Sequence, residues 1–392
     1  MLAASRDDCP LQYQCVSATD FDLFRRSVRL YFHWFMTDFR LCDNSTAWLC
    51  GAENAENSGL FQVDDDLMYF NINDFEDVVN GPLLWDVGRI TVSVLLVAAK
   101  CSVSGAELFL QSCYVLAINT AALAGGKAYW SERKTVAGVA KQLVNKVEDR
   151  RPRALLHLWA LQEGGGNLLQ ILVQHSLDSL AQSKVLLAVA AWRRVHLAPP
   201  SGSVAHEVQG MVGEGSLGVP LDDIMLEILI PHISSKLLDL KLASLPAAGP
   251  GVGGPQSAWG SEADCVVRAQ RWLQAVPPVL LLSLMLYGQS LVLRKLKPAA
   301  DKLEFVSTLY HKAGFRISVP QVAQMLAWAH LRAANNVCAA DPDALQSFGS
   351  ADNGCRVVVL RSAPRAAAQI QVDHRDFSAS CHCGEIPLLP FS

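Results

Sequence analysis

Two segments rich in glycine and proline divide this chain and restrict how it can fold. They are residues 196–204 (HLAPPSGSV) and 245–260 (LPAAGPGVGGPQSAWG), and both have the composition of linkers. Between them, residues 224–230 (IMLEILI) and 236–243 (KLLDLKLA) predict two short strands. Helical periodicity covers much of the remaining chain, over residues 90–100, 106–123, 134–147, 168–193, 262–274 and 319–333. We therefore expect an α+β protein with a mostly helical body and a small strand-rich lobe.

Charge balance and composition argue against several classes of protein. The 392 residues carry 33 Lys and Arg against 37 Asp and Glu, a net charge of −4, so there is no global basic field to hold nucleic acid. Hydrophobic residues make up 51% of the chain, which is far from a disordered composition. The 11 cysteines lack the regular spacing of a disulfide scaffold. We expect a globular, reduced, cytoplasmic protein without a nucleic-acid partner.

Two long uncharged runs raise the question of a membrane span. Residues 272–293 are long enough to cross a bilayer, but Pro277 and Pro278 interrupt them, and a buried helix followed by a buried strand fits better. Residues 108–126 contain Gln, Asn and Thr side chains, which favour a helix in the protein core. Residues 1–10 carry charges where a signal peptide needs an apolar segment. We expect neither a membrane span nor export.

A glycine motif introduces the strand-rich segment. Its letters are GEGSLG, a G-x-G-x-x-G pattern formed by Gly213, Gly215 and Gly218, with Ser216 inside it. A predicted strand follows, and the next predicted strand carries Lys241. Protein kinases use this order, because a glycine-rich loop covers the ATP phosphates while a strand lysine neutralises their charge. The alternative is a glycine turn that joins two hairpin strands, with Lys241 solvated.

A second group of polar residues follows two short predicted strands near the start of the chain, residues 47–50 and 67–73. The segments are residues 51–59 (GAENAENSG) and 71–77 (NINDFED). Asn57 and Asp74 supply an amide and a carboxylate, the oxygen ligands that Mg²⁺ prefers. The alternative is that these are polar turn residues between strands.

The base that phosphoryl transfer requires is missing from this group. A kinase catalytic loop places its Asp five residues before the metal-binding Asn, and that position is Ala52 here. Glu53 is the nearest carboxylate and the candidate substitute, although it lies at a different position in the loop.

A third segment, residues 81–89 (GPLLWDVGR), suggests structural support rather than chemistry. Asp86 and Arg89 are three residues apart, a spacing that allows an ion pair on the surface of a helix. Alternatively, Asp86 accepts backbone N–H bonds from a neighbouring loop and fixes its shape. We expect Trp85, Asp86 and Arg89 to have structural roles.

Together these segments resemble a bacterial family, domain of unknown function 2252, which is related to the protein-kinase-like and aminoglycoside-phosphotransferase-like superfamily. The resemblance runs from about residue 24 to residue 377 and is strongest in LCGAENAENSG, in MYFNINDFEDVVNGPLLWDVGRI and in GEGSLG with LLDLKLA. The family loop reads G-D-x-H-x-E-N-x-G. Glu56 and Asn57 match it, whereas Ala52 replaces the catalytic-type Asp and Asn54 replaces the His.

The resemblance implies an ATP and Mg²⁺ site. It assigns the metal to Asn57 and Asp74, and the nucleotide to the glycine motif and Lys241, with Asp264 as candidate partner of the lysine. Glu76 replaces an Asp of the family's metal strand. Trp85, Asp86 and Arg89 match the helix that follows, whereas Lys295 replaces a family Glu, so that assignment fails.

The order of these blocks implies a circular permutation. The catalytic-type and metal loops precede the glycine motif and lysine, which reverses the order of an ordinary kinase. We expect a first helical lobe over residues 1–204, a small lobe over 205–300 and a helical segment over 301–392 that packs on the first lobe.

Three functions remain open on the sequence. The first is a kinase-like pseudoenzyme that binds ATP and Mg²⁺ but has lost its base at Ala52. The second is an active phosphotransferase on a small-molecule or protein acceptor, because positioning and electrostatics carry most of phosphoryl-transfer catalysis. The third is a scaffold that binds a protein partner and no nucleotide.

Overall fold

The computed structural model describes most of the chain. The described residues are 9–39, 45–62, 68–100, 105–148, 183–185, 187–188, 191, 208–212, 223–230, 233–249, 259–278, 280–295, 312–351 and 354–386. The linker at 196–204, most of the helix expected at 168–193 and the glycine motif with Gly213, Gly215, Ser216 and Gly218 lie outside them.

Helices make up most of the described chain. In order they are α1 Cys9–Ser17, α2 Asp20–Arg26, α3 Val28–Phe39, α4 Leu84–Lys100, α5 Gly105–Ala124, α6 Gly138–Glu148, α7 Glu262–Leu273, α8 Lys312–Ala333, α9 Pro342–Ser350 and α10 Gly354–His382. Capping residues set several of their starts. The side chains of Thr19, Ser261 and Asp341 each accept a backbone N–H bond in the first turn of α2, α7 and α9.

The strands form small antiparallel sheets. They are β1 Thr46–Leu49, β2 Ser58–Gln62, β3 Met68–Ile72, β4 Val79–Pro82, β5 Ser131–Glu132, β6 Val208–Val212, β7 Asp223–Ile230, β8 Ile233–Leu242, β9 Leu281–Leu286 and β10 Gln289–Lys295. Strand β1 pairs with β4, and β3 lies between β2 and β5. The largest sheet has the order β6-β7-β8-β10-β9, and α7 connects β8 to β9 and packs on β9 and β10. The expected mixture of a mostly helical chain with small sheets is confirmed.

Helix α4 forms the centre of the helical body. Residues 84–98 are all buried, including the polar Asp86 and Arg89, so this part of the helix is enclosed on every side. Helices α2, α3, α5, α8 and α10 pack around it. The first turn of α4 is therefore a rigid support for the loop that follows β1.

Helix α5 is the one described helix that is long and apolar enough to cross a membrane by length and composition. Within its most apolar 18-residue window, 39% of the residues are buried in the protein. Helices α8 and α9 pack against it, and Gly349 of α9 lies so close that an added Cβ would be 2.4 Å from the amide nitrogen of Ala124.

Many of the described elements were predicted from the sequence, but helices α1, α2, α3 and α9 were not. The strands expected at 47–50, 67–73, 224–230 and 236–243 correspond to β1, β3, β7 and β8. Helices α4, α5, α6, α7 and α8 are likewise present, whereas α10, the longest described helix at 29 residues, was not predicted. Its weak apolar periodicity and the internal Pro364 explain the omission. Strands β2, β4, β5, β6 and β9 were also missed.

Candidate functional site

The loop between β1 and β2 is held in shape by one buried carboxylate. Asp86, in the first turn of α4, is fully buried and accepts the backbone N–H groups of Cys50 at 2.7 Å and Gly51 at 3.1 Å. The Nε2 atom of His330, also fully buried, lies 3.1 Å from the same carboxylate. Asp86 therefore has the loop-fixing geometry that its sequence position suggested.

Gly51 is required at the start of this loop for two separate reasons. Its φ angle of +80° is one that side chains rarely allow. A Cβ atom there would also lie 2.0 Å from the carbonyl oxygen of Asp77, which is inside any permitted contact. The turn therefore presses directly against the segment that follows β3.

Asn57 and Asp74, the candidate metal ligands, lie side by side. The Asn57 side-chain nitrogen donates to the carbonyl oxygen of Ala52 at 2.9 Å and lies 3.5 Å from Asp74 Oδ2. The backbone N–H of Asn73 donates to the carbonyl oxygen of Asn57 at 3.1 Å, which ties the two loops together. No group of three or more His, Cys, Asp or Glu side chains with metal-binding geometry occurs within the described ranges.

Lys241 reaches the same region from the largest sheet. Its Nζ atom lies 2.6 Å from Oε1 of Glu76, two residues beyond Asp74. The Glu76 backbone N–H lies 3.4 Å from Asp74 Oδ1. Lys241, Glu76, Asp74 and Asn57 therefore form one continuous group, although 184 positions separate Asn57 from Lys241 in the sequence.

The expected pairing of Lys241 with Asp264 is wrong. Asp264 instead accepts the Nε–H of Arg268, four residues further along α7, with its two oxygens at 3.2 and 3.1 Å. Residues four apart on a helix are neighbours, so this local partner is readily reached. Asp264 also lines a surface cavity of about 420 Å³ with Arg271 and the start of β9.

Glu53 is in the wrong environment for a base that serves an acceptor from solvent. Its exposed fraction is 0%, and neither carboxylate oxygen has a hydrogen-bond partner in the part of the chain that is described. Burial raises the pKa of the Glu53 carboxyl well above its ordinary value, and Asp86 and Asp74 raise it further, while Arg89 opposes them. Ionisation of Glu53 is therefore disfavoured at this buried position of the loop, and Ala52 beside it is also buried.

Arg89 and Asp86 do not form a pair on a helix surface, because both are fully buried. The Arg89 guanidinium lies 4.2 Å from the ring centre of Phe24 and donates to the Phe24 carbonyl oxygen at 3.2 Å. Burial lowers the pKa of Arg89, and the neighbouring acidic groups only partly offset that effect. Trp85 is buried as well, with its ring 5.5 Å from that of Phe32. These residues therefore pack in the protein core around the first turns of α4.

Several residues of the site were not assigned from the sequence. Arg294 of β10 donates its Nε–H to Asp239 of β8 at 2.7 Å. Asp77 accepts the backbone N–H of Ala247 at 2.6 Å, and burial raises its pKa to about 6 despite that bond. The only signal for Asp77 was its place as the last residue of the segment 71–77, because the partners of both residues are more than 50 positions away.

A family model described as an uncharacterized protein conserved in bacteria (DUF2252) matches residues 6–380 of this chain. The chain belongs to this family. No curated protein and no solved structure matches it. The match supports the resemblance to this family, but it shows neither a relation to kinases nor an activity.

Proposed function

We propose that this member of the DUF2252 family is a kinase-like protein that binds ATP with Mg²⁺ and has little or no phosphotransferase activity. The main observation behind the proposal is that Lys241 contacts the loop that contains Asp74. A lysine from a small antiparallel sheet and an adjacent carboxylate–amide pair are the parts that hold nucleotide phosphates and their metal ion in kinases. Here the lysine reaches that loop through the 2.6 Å contact with Glu76.

The order of elements in the sheet supports the same interpretation. A protein kinase carries its lysine on the third strand of the small lobe, after the glycine-rich loop. Counted from β6, Lys241 lies on the third strand, β8, and the glycine motif lies in the sequence between the first two. Helix α7 follows the third strand. The metal loop precedes these strands in the sequence, so the proposed fold is circularly permuted.

The donor set at the proposed metal site fits Mg²⁺. Asp74 offers carboxylate oxygens. Asn57 can offer its amide oxygen only after its side chain turns, because its nitrogen donates to the Ala52 carbonyl oxygen and faces Asp74 Oδ2. Both are hard oxygen ligands, and Mg²⁺ commonly takes only one or two protein ligands together with water and phosphate oxygens. The bound ion would neutralise phosphate charge. Asn57 and Asp74 would hold it, and Lys241 would contribute a further positive charge.

Loss of the base is the reason to expect weak or absent transfer. Ala52 has no group that could accept a proton from an acceptor hydroxyl, and the Glu53 side chain is fully buried. Positioning and charge neutralisation do not depend on that base. Nucleotide binding should therefore survive where turnover does not.

Thermal unfolding with ATP tests the binding part of the proposal. A ligand that binds only the native state stabilises it by about 2.7 kcal/mol at a hundred times its Kd. We expect a Mg²⁺-dependent rise in the melting temperature of the wild type that is lost in Asp74→Ala. Asp376→Ala, which removes an exposed carboxylate of α10, is the matched control. Absence of any shift at millimolar ATP would refute the proposal and favour the scaffold.

A second measurement tests the loss of activity. Release of phosphate from ATP should stay at background in the wild type and rise in Ala52→Asp, which restores the family's acidic group. Turnover by the wild type that Ala52→Asp leaves unchanged would instead favour an active phosphotransferase with a different base.

A further inference from the structure

Two cations of the largest sheet converge on one carboxylate oxygen. Glu76 Oε1 lies 2.6 Å from Lys241 Nζ and 3.8 Å from Arg294 Nη2. The Lys241 and Arg294 side chains are 13% and 17% exposed, so both cations are largely withdrawn from water. An oxygen at this point is thus held between two largely buried positive charges.

The strand register explains why these cations are neighbours. In the pairing of β8 with β10, Lys241 lies opposite Val292, and Asp239 lies opposite Arg294. Residues two apart on a strand share a face, so Lys241 and Arg294 are diagonal neighbours on one side of the sheet. Asp239 binds the Nε atom of Arg294, which leaves an Nη atom directed at Glu76.

Asp239 also keeps Arg294 charged in this partly dry position. Burial alone lowers the pKa of the Arg294 guanidinium, but Asp239 and Glu76 outweigh burial and hold the pKa above its ordinary value. Arg294 is therefore a fixed cation anchored by one carboxylate, with a second face available to an anion.

Glu76 is the more readily replaced member of this group. Its side chain is 38% exposed, whereas Asp239 is 10% exposed. Ion pairs that reach solvent contribute little to stability, because water hydrates the separated charges well. An incoming anion with several oxygens can take the place of the Glu76 carboxylate at small cost.

We propose that Lys241 and Arg294 form a two-cation clamp for the phosphate groups of a polyphosphate ligand, and that the Glu76 carboxylate occupies the clamp until such a ligand displaces it. This inference rests on the proposed nucleotide site and adds two features to it. Arg294 becomes a second phosphate-binding residue, and Glu76 becomes an internal competitor. The resemblance places an Asp at position 76. That side chain is one methylene shorter than Glu76 and would reach less far toward Lys241.

Binding of inorganic tripolyphosphate, measured by calorimetry without Mg²⁺, tests the clamp separately from adenine and metal recognition. Glu76→Gln removes the competing charge, and we expect it to lower the Kd for tripolyphosphate by roughly tenfold, the scale of one charge-assisted hydrogen bond. Glu385→Gln makes the same charge change at an exposed position beyond α10 and should leave the Kd unchanged. Equal affinities of wild type and Glu76→Gln would overturn the inference.

A further variant isolates the contribution of Arg294. Arg294→Gln alone would leave Asp239 buried without its partner, so it is combined with Asp239→Asn in the Glu76→Gln background. We expect this triple variant to lose the gained affinity while unfolding cooperatively. Retention of the tighter binding would exclude Arg294 from the clamp.

The same samples separate failure of this inference from failure of the proposed function. If ATP with Mg²⁺ stabilises the wild type but Glu76→Gln binds tripolyphosphate no tighter, the clamp fails and the nucleotide site stands. If Glu76→Gln gains affinity for tripolyphosphate while ATP with Mg²⁺ stabilises neither protein, the clamp stands and the nucleotide function fails.

Discussion

Replacing Glu53 with Gln should remove a loss of folding stability that the wild type undergoes as the pH rises. The Glu53 carboxyl is fully buried, and its two oxygens have no hydrogen-bond partner among the described residues. Burial, with Asp86 and Asp74 in support, raises its pKa well above the ordinary 4.5. Glu53→Gln keeps the shape of the side chain and removes the ionisation.

The sign and size of the effect follow from proton linkage. When the pKa of an acid is higher in the folded state, its contribution is most favourable below the unfolded pKa and is lost as pH rises toward the folded pKa. The loss is about 1.4 kcal/mol for each pH unit in that window. Between about pH 5 and about pH 7, the advantage of Glu53→Gln should therefore grow, at no more than about 1.4 kcal/mol per pH unit.

Chemical denaturation followed by tryptophan fluorescence at several pH values measures this slope. An unpaired amide in the core has its own cost of about 1–3 kcal/mol, but that cost does not change with pH and leaves the slope intact. Glu385→Gln, at an exposed position, serves as the reference for the change in overall charge.

A difference between Glu53→Gln and wild type that stays constant over this pH range would refute the reasoning. It would mean that Glu53 ionises normally in the folded state, and therefore that the loop leaves its carboxyl in contact with water. If Glu385→Gln shows the same change of unfolding free energy with pH, the effect comes from the overall charge instead.

Two substitutions test how the loop between β1 and β2 is held. Gly51→Ala should destabilise the protein by about 2 kcal/mol or more, because φ is +80° and the new Cβ would lie 2.0 Å from the Asp77 carbonyl oxygen. Gly288 also has a positive φ but open space around it, so Gly288→Ala measures the destabilisation from the backbone conformation alone. If Gly288→Ala destabilises the protein as much as Gly51→Ala, the contact with Asp77 has no role. Asp86→Ala should cost about 3 kcal/mol or more in denaturant unfolding, because the N–H groups of Cys50 and Gly51 lose a buried acceptor. A loss under about 1 kcal/mol would show that the loop keeps its shape without Asp86.

Local patterns in the sequence were sufficient for much of the fold. Long apolar periods identified α4, α5 and α7, and continuous apolar runs identified β7 and β8, because burial imposes these patterns on the chain itself. Asn57 and Asp74 were also proposed as a pair from the sequence, and the hairpin of β2 with β3, whose first strand was not predicted, brings their side chains to 3.5 Å. Strand β4 reads VNGP and has no apolar run, and α10 has a weaker apolar periodicity than α7 and contains Pro364, so both were missed.

The sequence by itself determined which residue types are available: a lysine in a strand, a carboxylate beside an amide, and Ala52 where a base was expected. Only the tertiary structure decided which charges meet. Lys241 contacts Glu76 rather than Asp264, and Arg294 joins them, because strand register and loop packing place both cations within 4 Å of the Glu76 carboxylate. The structure likewise decided that Glu53 is buried. Partner choice and burial depend on segments far apart in the chain, and no local pattern encodes either of them.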